Sequence, residues 1–450
     1  MEEQVLNYVG FIVLLLLLAV SLFKPVFALY LIPYAMSLSP EITVGETAQR
    51  EITIRLEDLL MGVLLLRVVF DVVISKSFPI ERLRGNQFFL PMFLYSMALI
   101  MATTLGVSQF LVSPASGFFF ALKMIQFFLF FFIFFYYIRD EKDIKVILNG
   151  ALVTMAIVTV VGLIQMPTTP RTTMPFEGED PEPNTFGGYY ILLGSVVAGL
   201  YIHEPKGRKK TIYALLLAVA VLPFVYTMSR TSWIAAGFSL MTFLLLTKGL
   251  QRKVVILIVV LLIVLSLQFV PGRVRERAQF WKAEEGFERT ETIGRTRFDP
   301  SASERITRYR KMVDIFVQSP MLGRGMTGAG FIDGQYIRVI NETGLVGVLT
   351  FFYLFYAILK YLFSSYKNRE DPFARSLSLG LFCATIGLLV HGLGASTFLL
   401  VRVVEPYMML LALLVSYNRM TEGEARGKLH APEQRYAYPY LVSAPGGNRL

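Results

Sequence analysis

Residues 117–137 read GFFFALKMIQFFLFFFIFFYY, an apolar run interrupted by one lysine, Lys123. A helix of this length crosses a hydrocarbon core of roughly 30 Å. Working outward, comparable blocks lie near residues 5–22, 25–38, 57–75, 87–105, 144–165, 186–202, 211–227, 231–247, 253–270, 337–360, 376–394 and 398–417. The block at 25–38 is short and follows Lys24-Pro25, so it reads as a re-entrant or tilted segment or a full crossing, and the expected number of spans is 12 or 13. A chain of 450 residues that is 54% hydrophobic and 17% charged cannot hide this surface in a soluble core. The pattern predicts an all-α integral membrane protein. The first run, Val5 to Phe23, follows Glu2 and Glu3 without a basic leader or small-residue cleavage site, so it reads as a retained span.

The composition excludes several chemistries. The single cysteine, Cys383, lies in an apolar stretch, which leaves no internal disulfide and no thiolate cluster. The three histidines, His203, His391 and His430, are far apart, so a histidine-rich zinc site lacks material, and neither metal nor cofactor is expected. The net charge of +10 points to an anionic membrane face or an anionic substrate rather than to nucleic acid.

Charge distribution predicts orientation, because Lys and Arg gather in short cytoplasmic loops. The basic loops Lys76–Arg84, Arg139–Lys145, Lys206–Lys210, Lys248–Lys253 and Lys360–Arg375 fall on one side when spans alternate, and that side is expected to be cytoplasmic. The opposite side receives residues 39–56, 106–116, 166–183, the turn at Ser229-Arg230 and the segment 271–336. The expected organisation is a transmembrane region at 1–270, a large extracytoplasmic loop at 271–336 with an amphipathic helix, a second transmembrane region at 337–417 and a disordered cytoplasmic tail at 418–450.

The large loop holds ten arginines and two lysines. Ser301 or Ser303 can cap a helix from Glu304 to Gln318 that stops before Pro320, with Ile306, Tyr309, Met312, Val313 and Phe316 forming an apolar stripe along a membrane surface. Arg305 and Arg308, three apart, can hold a phosphate or pyrophosphate by charge-assisted hydrogen bonds, or can snorkel to lipid headgroups. A glycine-rich turn follows, Pro320-Met321-Leu322-Gly323-Arg324-Gly325, whose glycines would let backbone approach a ligand. Asp333 stands where the next span meets water, placed either to accept a proton from an attacking hydroxyl or to cap the span. Arg230 closes a turn between two spans. Asn184 opens a span that it can also cap, while Arg338 and Glu342 are spaced for a mutual pair. His391 and Arg402, also at membrane depth, are candidates of the same kind.

Taken in order, these segments resemble the O-antigen ligase and polymerase superfamily of bacterial envelope proteins. Ser229-Arg230 resembles the family's Ser-Arg outer turn; Arg305 through Tyr309 to Pro320, Gly323 and Gly325 resembles its arginine, aromatic and Pro-x-x-Gly-x-Gly pattern; Asp333 through Tyr336, Glu342, Gly344 and Gly347 resembles the opening of its next span. Asn184 falls where members often carry asparagine. Ligases have a His-Asn pair where this chain has Asp333-Gly334, which makes it more similar to the polymerase branch.

The resemblance implies a GT-C-like, multi-pass protein of the bacterial cytoplasmic membrane with its active face extracytoplasmic. It implies a metal-independent glycosyltransferase that polymerises O-antigen or exopolysaccharide from polyprenyl-pyrophosphate-linked oligosaccharides, amid membrane lipids and alongside a chain-length regulator and a flippase. Arg230 and Arg305 would stabilise the departing pyrophosphate and Asp333 would assist the acceptor hydroxyl, with Asn184, Arg308, Arg324, Tyr336 and Glu342 binding substrate. Two alternatives stand beside it: an O-antigen ligase or protein O-oligosaccharyltransferase, and, in another class, a transporter or flippase of lipid-linked glycan. The charges of this chain cluster at one surface without an internal repeat, unlike a transporter's midplane site.

Overall fold

Helices occupy the apolar runs and break where charge or proline interrupts them. In chain order they are α1 (Leu14–Phe23), α2 (Pro25–Leu38), α3 (Leu56–Ser75), α4 (Phe89–Ser108), α5 (Pro114–Tyr137), α6 (Glu141–Gln165), α7 (Pro183–His203), α8 (Arg208–Tyr226), α9 (Arg230–Leu246), a short α10 (residues 312–318), α11 (Gln335–Asn368), α12 (Pro372–His391) and α13 (Val401–Gly427). This computed structural model describes residues 14–46, 51–75, 85–178, 181–249, 251–253, 256, 292–293, 296–297, 310, 312–330 and 333–427. Among them, seven helices are long and apolar enough to cross a membrane, namely α4 to α8, α11 and α12, and α1, α2 and α9 are shorter apolar helices. The protein is an all-α integral membrane protein. The expected span at 253–270 lies almost wholly outside the described residues.

The helix starts follow local chemistry. Proline opens α2, α5, α7 and α12, where its missing N–H has no helical partner to lose. Asp371 caps α12 by accepting from the Ala374 amide at 2.7 Å. At the centre of the bundle lies α7, with 89% of its apolar window buried, whereas α8 stands at the periphery with 11%. Helices α7 and α12 touch through glycine: a Cβ at Gly199 would lie 2.4 Å from the Ser376 carbonyl oxygen, and one at Gly380 would lie 2.7 Å from Val196 Cα. Small residues give close helix packing where the lipid tails supply no hydrophobic drive.

Three local features depart from the sequence expectations. Residues 39–56, expected only as an outer connection, contain an antiparallel hairpin of β1 (Ile42–Glu46) and β2 (Glu51–Ile54), with Ile42 opposite Ile54, Thr43 opposite Thr53 and a bulge before Gly45. The β-branched residues of these strands suit the pleat. A further two-residue pair joins Thr292–Ile293 to Thr296–Arg297. The last helix continues past 417 to Gly427 rather than ending at the expected disordered tail. Asn418 donates to the Tyr361 hydroxyl at 2.9 Å and to Ser365 Oγ at 2.8 Å, and Arg369 pairs with Glu422, so the extension is held by α11 and its C-terminal flank. Residues 428–450 lie outside the described residues.

The third departure is a break. The span expected at 337–360 is the longer α11, and Gly344 interrupts it with φ +64° and ψ −163°. α10 ends at Gln318 as expected, but its buried face is Met312 and Ile315, packed on Ala329 and Ile337, while Val313 and Val317 are exposed. The helix therefore carries two apolar strips, one turned to protein and one outward.

Candidate functional site

The motif residues gather at the end of the bundle opposite the short basic loops. Its first part is the turn between α8 and α9. Met228 there has φ +48°, a left-handed conformation that a non-glycine residue adopts at some cost. The turn is fixed from within by the Thr227 hydroxyl, which donates to the Phe224 carbonyl at 2.7 Å and accepts from the Ser229 amide at 3.3 Å. It is fixed from outside by the segment after α6: Arg171 Nε donates to the Thr227 carbonyl at 2.8 Å and the Thr172 amide to the Tyr226 carbonyl at 3.1 Å. Ser229 then caps α9, accepting from the Ser232 amide at 3.2 Å, and donates its own hydroxyl to Asn184 Oδ1 at 2.7 Å. Half-buried Arg230 opens α9 directly beside this bond.

The second part is the mouth of α11. Asp333 is half-buried and precedes Gly334, whose φ of +119° turns the chain into the helix. The Gln335 amide donates to the Gly392 carbonyl at 2.8 Å and to the Ala395 carbonyl at 3.1 Å, while Gln335 Oε1 accepts from the Phe398 amide at 3.0 Å. The Tyr336 hydroxyl donates to the Leu389 carbonyl at 2.6 Å, and its ring stacks on Phe352. Both parts converge on one segment, residues 391–398, between α12 and α13. A Cβ at Gly394 would lie 2.4 Å from Thr231 Oγ1, so this segment presses on the start of α9 as well as on α11.

The glycine-rich turn serves the α11 break. Because Gly344 leaves the helix, the carbonyls of Asn341 and Glu342 and the amides of Leu345 and Val346 lose helical partners. The turn replaces all four: the Arg324 and Gly325 amides donate to the Asn341 and Glu342 carbonyls, each at 2.9 Å, and the Pro320 and Met321 carbonyls accept from Leu345 at 2.9 Å and Val346 at 3.2 Å. The glycines permit approach to protein backbone. A Cβ at Gly323 (φ +65°) would lie 2.5 Å from the Glu342 carbonyl carbon, and one at Gly344 would lie 2.3 Å from the Met321 carbonyl oxygen. Beneath the turn, buried Glu342 accepts from the Thr327 amide at 3.1 Å and stands 3.8 Å from Arg338 Nε, the pair that the spacing suggested. The Arg324 guanidinium donates to Gln318 Oε1, tying the turn back to α10. Arg305 and Arg308 lie outside the described residues; Arg310, on the same segment, is helical and exposed.

A set of buried charges at the same end was not singled out by the sequence pattern, apart from Arg402. Arg402, 2% exposed, donates to the carbonyls of Ser37 at 2.7 Å, Ser39 at 3.2 Å and Phe176 at 2.7 Å, and lies 3.5 Å from Glu41. Arg55 pairs with Glu57 at 3.1 Å and Glu41 at 3.6 Å, Ser39 donates to Glu57, and Lys123 with Gln126 holds Asp58. Glu405 is fully buried among them. Burial pushes the Glu177 carboxyl, in the segment after α6, up to about 7. The only early signals were Arg55-Leu56-Glu57-Asp58 at a helix start and Lys123 inside an apolar run. Arg402 pins the end of α2, the approach to the hairpin and the segment after α6 to α13.

Among the described residues, no three His, Cys, Asp or Glu side chains are grouped so as to hold a metal ion. A cavity of about 760 Å³ opens at the other end of the bundle, between Glu141, Lys145, His203, Lys209 and Asp371 at its polar edge and Leu152, Val160 and Leu216 within. It contains none of the motif residues.

Residues 212–352 match the family model described as O-antigen ligase. That segment runs from α8 through the Ser229-Arg230 turn, the large loop, Asp333 and the α11 break, and the match supports the resemblance to the O-antigen ligase and polymerase superfamily. The match does not separate the two branches. None of the curated proteins compared matches the chain.

Proposed function

We propose that this chain is a member of the O-antigen ligase and polymerase superfamily and a polymerase of surface polysaccharide. It would move glycan from a polyprenyl-pyrophosphate carrier to an acceptor repeat unit at the outer face of the cytoplasmic membrane. A role in O-antigen-type polysaccharide assembly is supported by the family model matched at residues 212–352. The observation that supports the finer reading is that the start of α9 after Ser229-Arg230, through Thr231 and Ser232, and the start of α11 after Asp333, through Gln335, both pack on residues 391–398, with Asn184 bonded to Ser229, at the end remote from the basic loops. This packing supports a site that draws on an arginine, an amide and a carboxylate from that boundary of the bundle.

In this reading, Asp333 accepts the proton of the acceptor hydroxyl as that oxygen bonds to the anomeric carbon. The bond from that carbon to the phosphate oxygen breaks, and the pyrophosphate leaves on its carrier. Arg230 and Arg305, with Arg308 and Arg324, stabilise the charge it gains, and they do so best in a water-poor site where donors are already oriented. Asn184 supplies a further donor, while Tyr336 and Glu342 hold the mouth of α11 around the acceptor.

Purified protein incubated with a defined lipid-linked repeat unit in chelator should yield a ladder of products, and Arg230→Ala, Arg305→Ala and Asp333→Asn should each abolish it while remaining in the membrane. A wild type that yields no ladder, or arginine variants that extend chains normally, refutes the assignment. The ligase reading is kept second by the description of the matched family, and Asp333-Gly334 stands against it. Glycan length separates them: loss of a polymerase leaves single units on the carrier, and loss of a ligase leaves long polymer there.

A further inference from the structure

A line of buried hydrogen bonds runs from the site into the bundle. Ser229 Oγ donates to Asn184 Oδ1 at 2.7 Å, Ser232 Oγ donates to Ser229 Oγ at 2.8 Å, and Ser232 Oγ lies 3.0 Å from His391 Nε2. On the far side of the ring, His391 Nδ1 lies 2.8 Å from Thr397 Oγ1. His391 and Ser232 are completely buried, and Ser229 is 3% exposed, so water does not compete for these bonds. A Cβ at Gly187 would lie 2.0 Å from Ser232 Oγ; glycine there makes room for the line to pass.

Each hydroxyl has one proton, so the direction of the line follows by accounting. The Ser229 proton goes to Asn184 and the Ser232 proton to Ser229, which leaves Ser232 Oγ able only to accept from the ring. His391 therefore donates from Nε2, and Nδ1 accepts from the Thr397 hydroxyl at 2.8 Å, much closer than that hydroxyl's other acceptor, the Ala395 carbonyl at 3.4 Å. If the ring instead accepted at Nε2, every hydroxyl would reverse and Asn184 would have to turn its NH2 inward to Ser229. In the direction set by the proton accounting, that NH2 points out of the line, from a half-buried residue hydrogen-bonded to the serine that precedes Arg230.

The geometry points to His391 as a positioning residue that makes Asn184 present a hydrogen-bond donor, rather than a carbonyl, to the anionic pyrophosphate of the substrate. A carbonyl at that place would repel the phosphate oxygens; an NH2 binds them. The assignment rests on the transferase reading for the identity of the anion.

The test uses full-length protein and a defined lipid-linked repeat unit, with binding and steady-state extension measured for wild type, Asn184→Ala, Ser232→Ala, His391→Leu, His391→Gln and the Asn184→Ala/His391→Leu pair. Losing one hydrogen bond to a charged group should weaken binding and raise KM about 10-fold or more, with a smaller effect on kcat. Ser232→Ala and His391→Leu should match Asn184→Ala, and the double variant should be no worse than either single one. Glutamine can donate at one atom and accept at another, so His391→Gln should recover most of the loss. Additive losses, or a glutamine variant no better than leucine when both are monodisperse, overturn the assignment. A wild type that binds the lipid-linked unit without extending it refutes the transferase reading alone, and the same comparison then stands on the binding constants. A wild type that does neither refutes both.

Discussion

Replacing Gly323 by alanine should undock the glycine-rich turn from α11. The added Cβ would meet backbone on three sides, at 2.5 Å from the Glu342 carbonyl carbon, 2.6 Å from the Thr343 nitrogen and 2.7 Å from the Asn341 oxygen, and none of these atoms can swing aside as a side chain would. The residue would also hold a φ of +65°, which costs an L-residue roughly 1–2 kcal/mol. Relieving the overlap means surrendering the bonds from the Arg324 and Gly325 amides, each worth about 1 kcal/mol net. Together these come to about 3–4 kcal/mol, enough to raise the undocked population roughly 100- to 1000-fold. The bond after Arg324 is a natural tryptic site whose flanking amides are both engaged in the docked turn. Trypsin should cut Gly323→Ala there far faster than wild type, because cleavage follows the open population when closing is fast. Gly62→Ala is the control, since a Cβ there meets nothing within 4 Å and alanine within a helix favours it by about 0.5–1 kcal/mol. Equal cleavage of wild type and Gly323→Ala, with equal thermal midpoints in detergent, would refute the argument.

Arg402→Met should lower stability by about 3–5 kcal/mol, as expected when one partner of a buried ionic cluster is removed, and fluorescence-detected chromatography after heating would register the drop. Tyr336→Phe keeps the ring stack on Phe352 but loses the bond to the Leu389 carbonyl, so its cost should be near 1 kcal/mol by the same measurement. Glu177 titrates at about 7 because burial disfavours its charge, so its contribution is full in acid, below its unfolded value, and is lost as pH rises through 7. Amide exchange in the segment 166–178, corrected for intrinsic rate, should therefore show weaker protection at pH 8 than at pH 6, and Glu177→Gln should flatten that difference.

The helices were legible because each apolar run is long and its ends are marked by charge, proline or a capping residue; α5, α7 and α12 begin within a few residues of the expected positions. The hairpin was not, because residues 42–54 offer only short β-branched runs beside strong membrane signals. The α11 break at Gly344 is invisible to hydropathy, since glycine fits a span by composition and reveals its φ only when another segment supplies the missing bonds. Asn184, Ser229, Arg230 and Asp333 were legible through their positions at span ends. Residues 391–398, on which the starts of α9 and α11 pack, were not, because a hub is defined by contacts among elements far apart in the chain. The same reason hid the pairing of Arg55, Glu57 and Lys123.

The exchange of four backbone bonds across the α11 break also restricts how the outer end can move. Lifting the glycine-rich turn away would strand four polar groups in surroundings with few replacements, at roughly 1–3 kcal/mol each. The turn is thus a fixed sill rather than a flap, and the stub of α11 that carries Tyr336 and follows Asp333 is braced at both ends, by the sill on one side and by residues 391–398 on the other. In the proposed polymerase, a long lipid-borne chain advancing in repeated cycles would meet a rigid gauge at the mouth of α11, unchanged from one pass to the next.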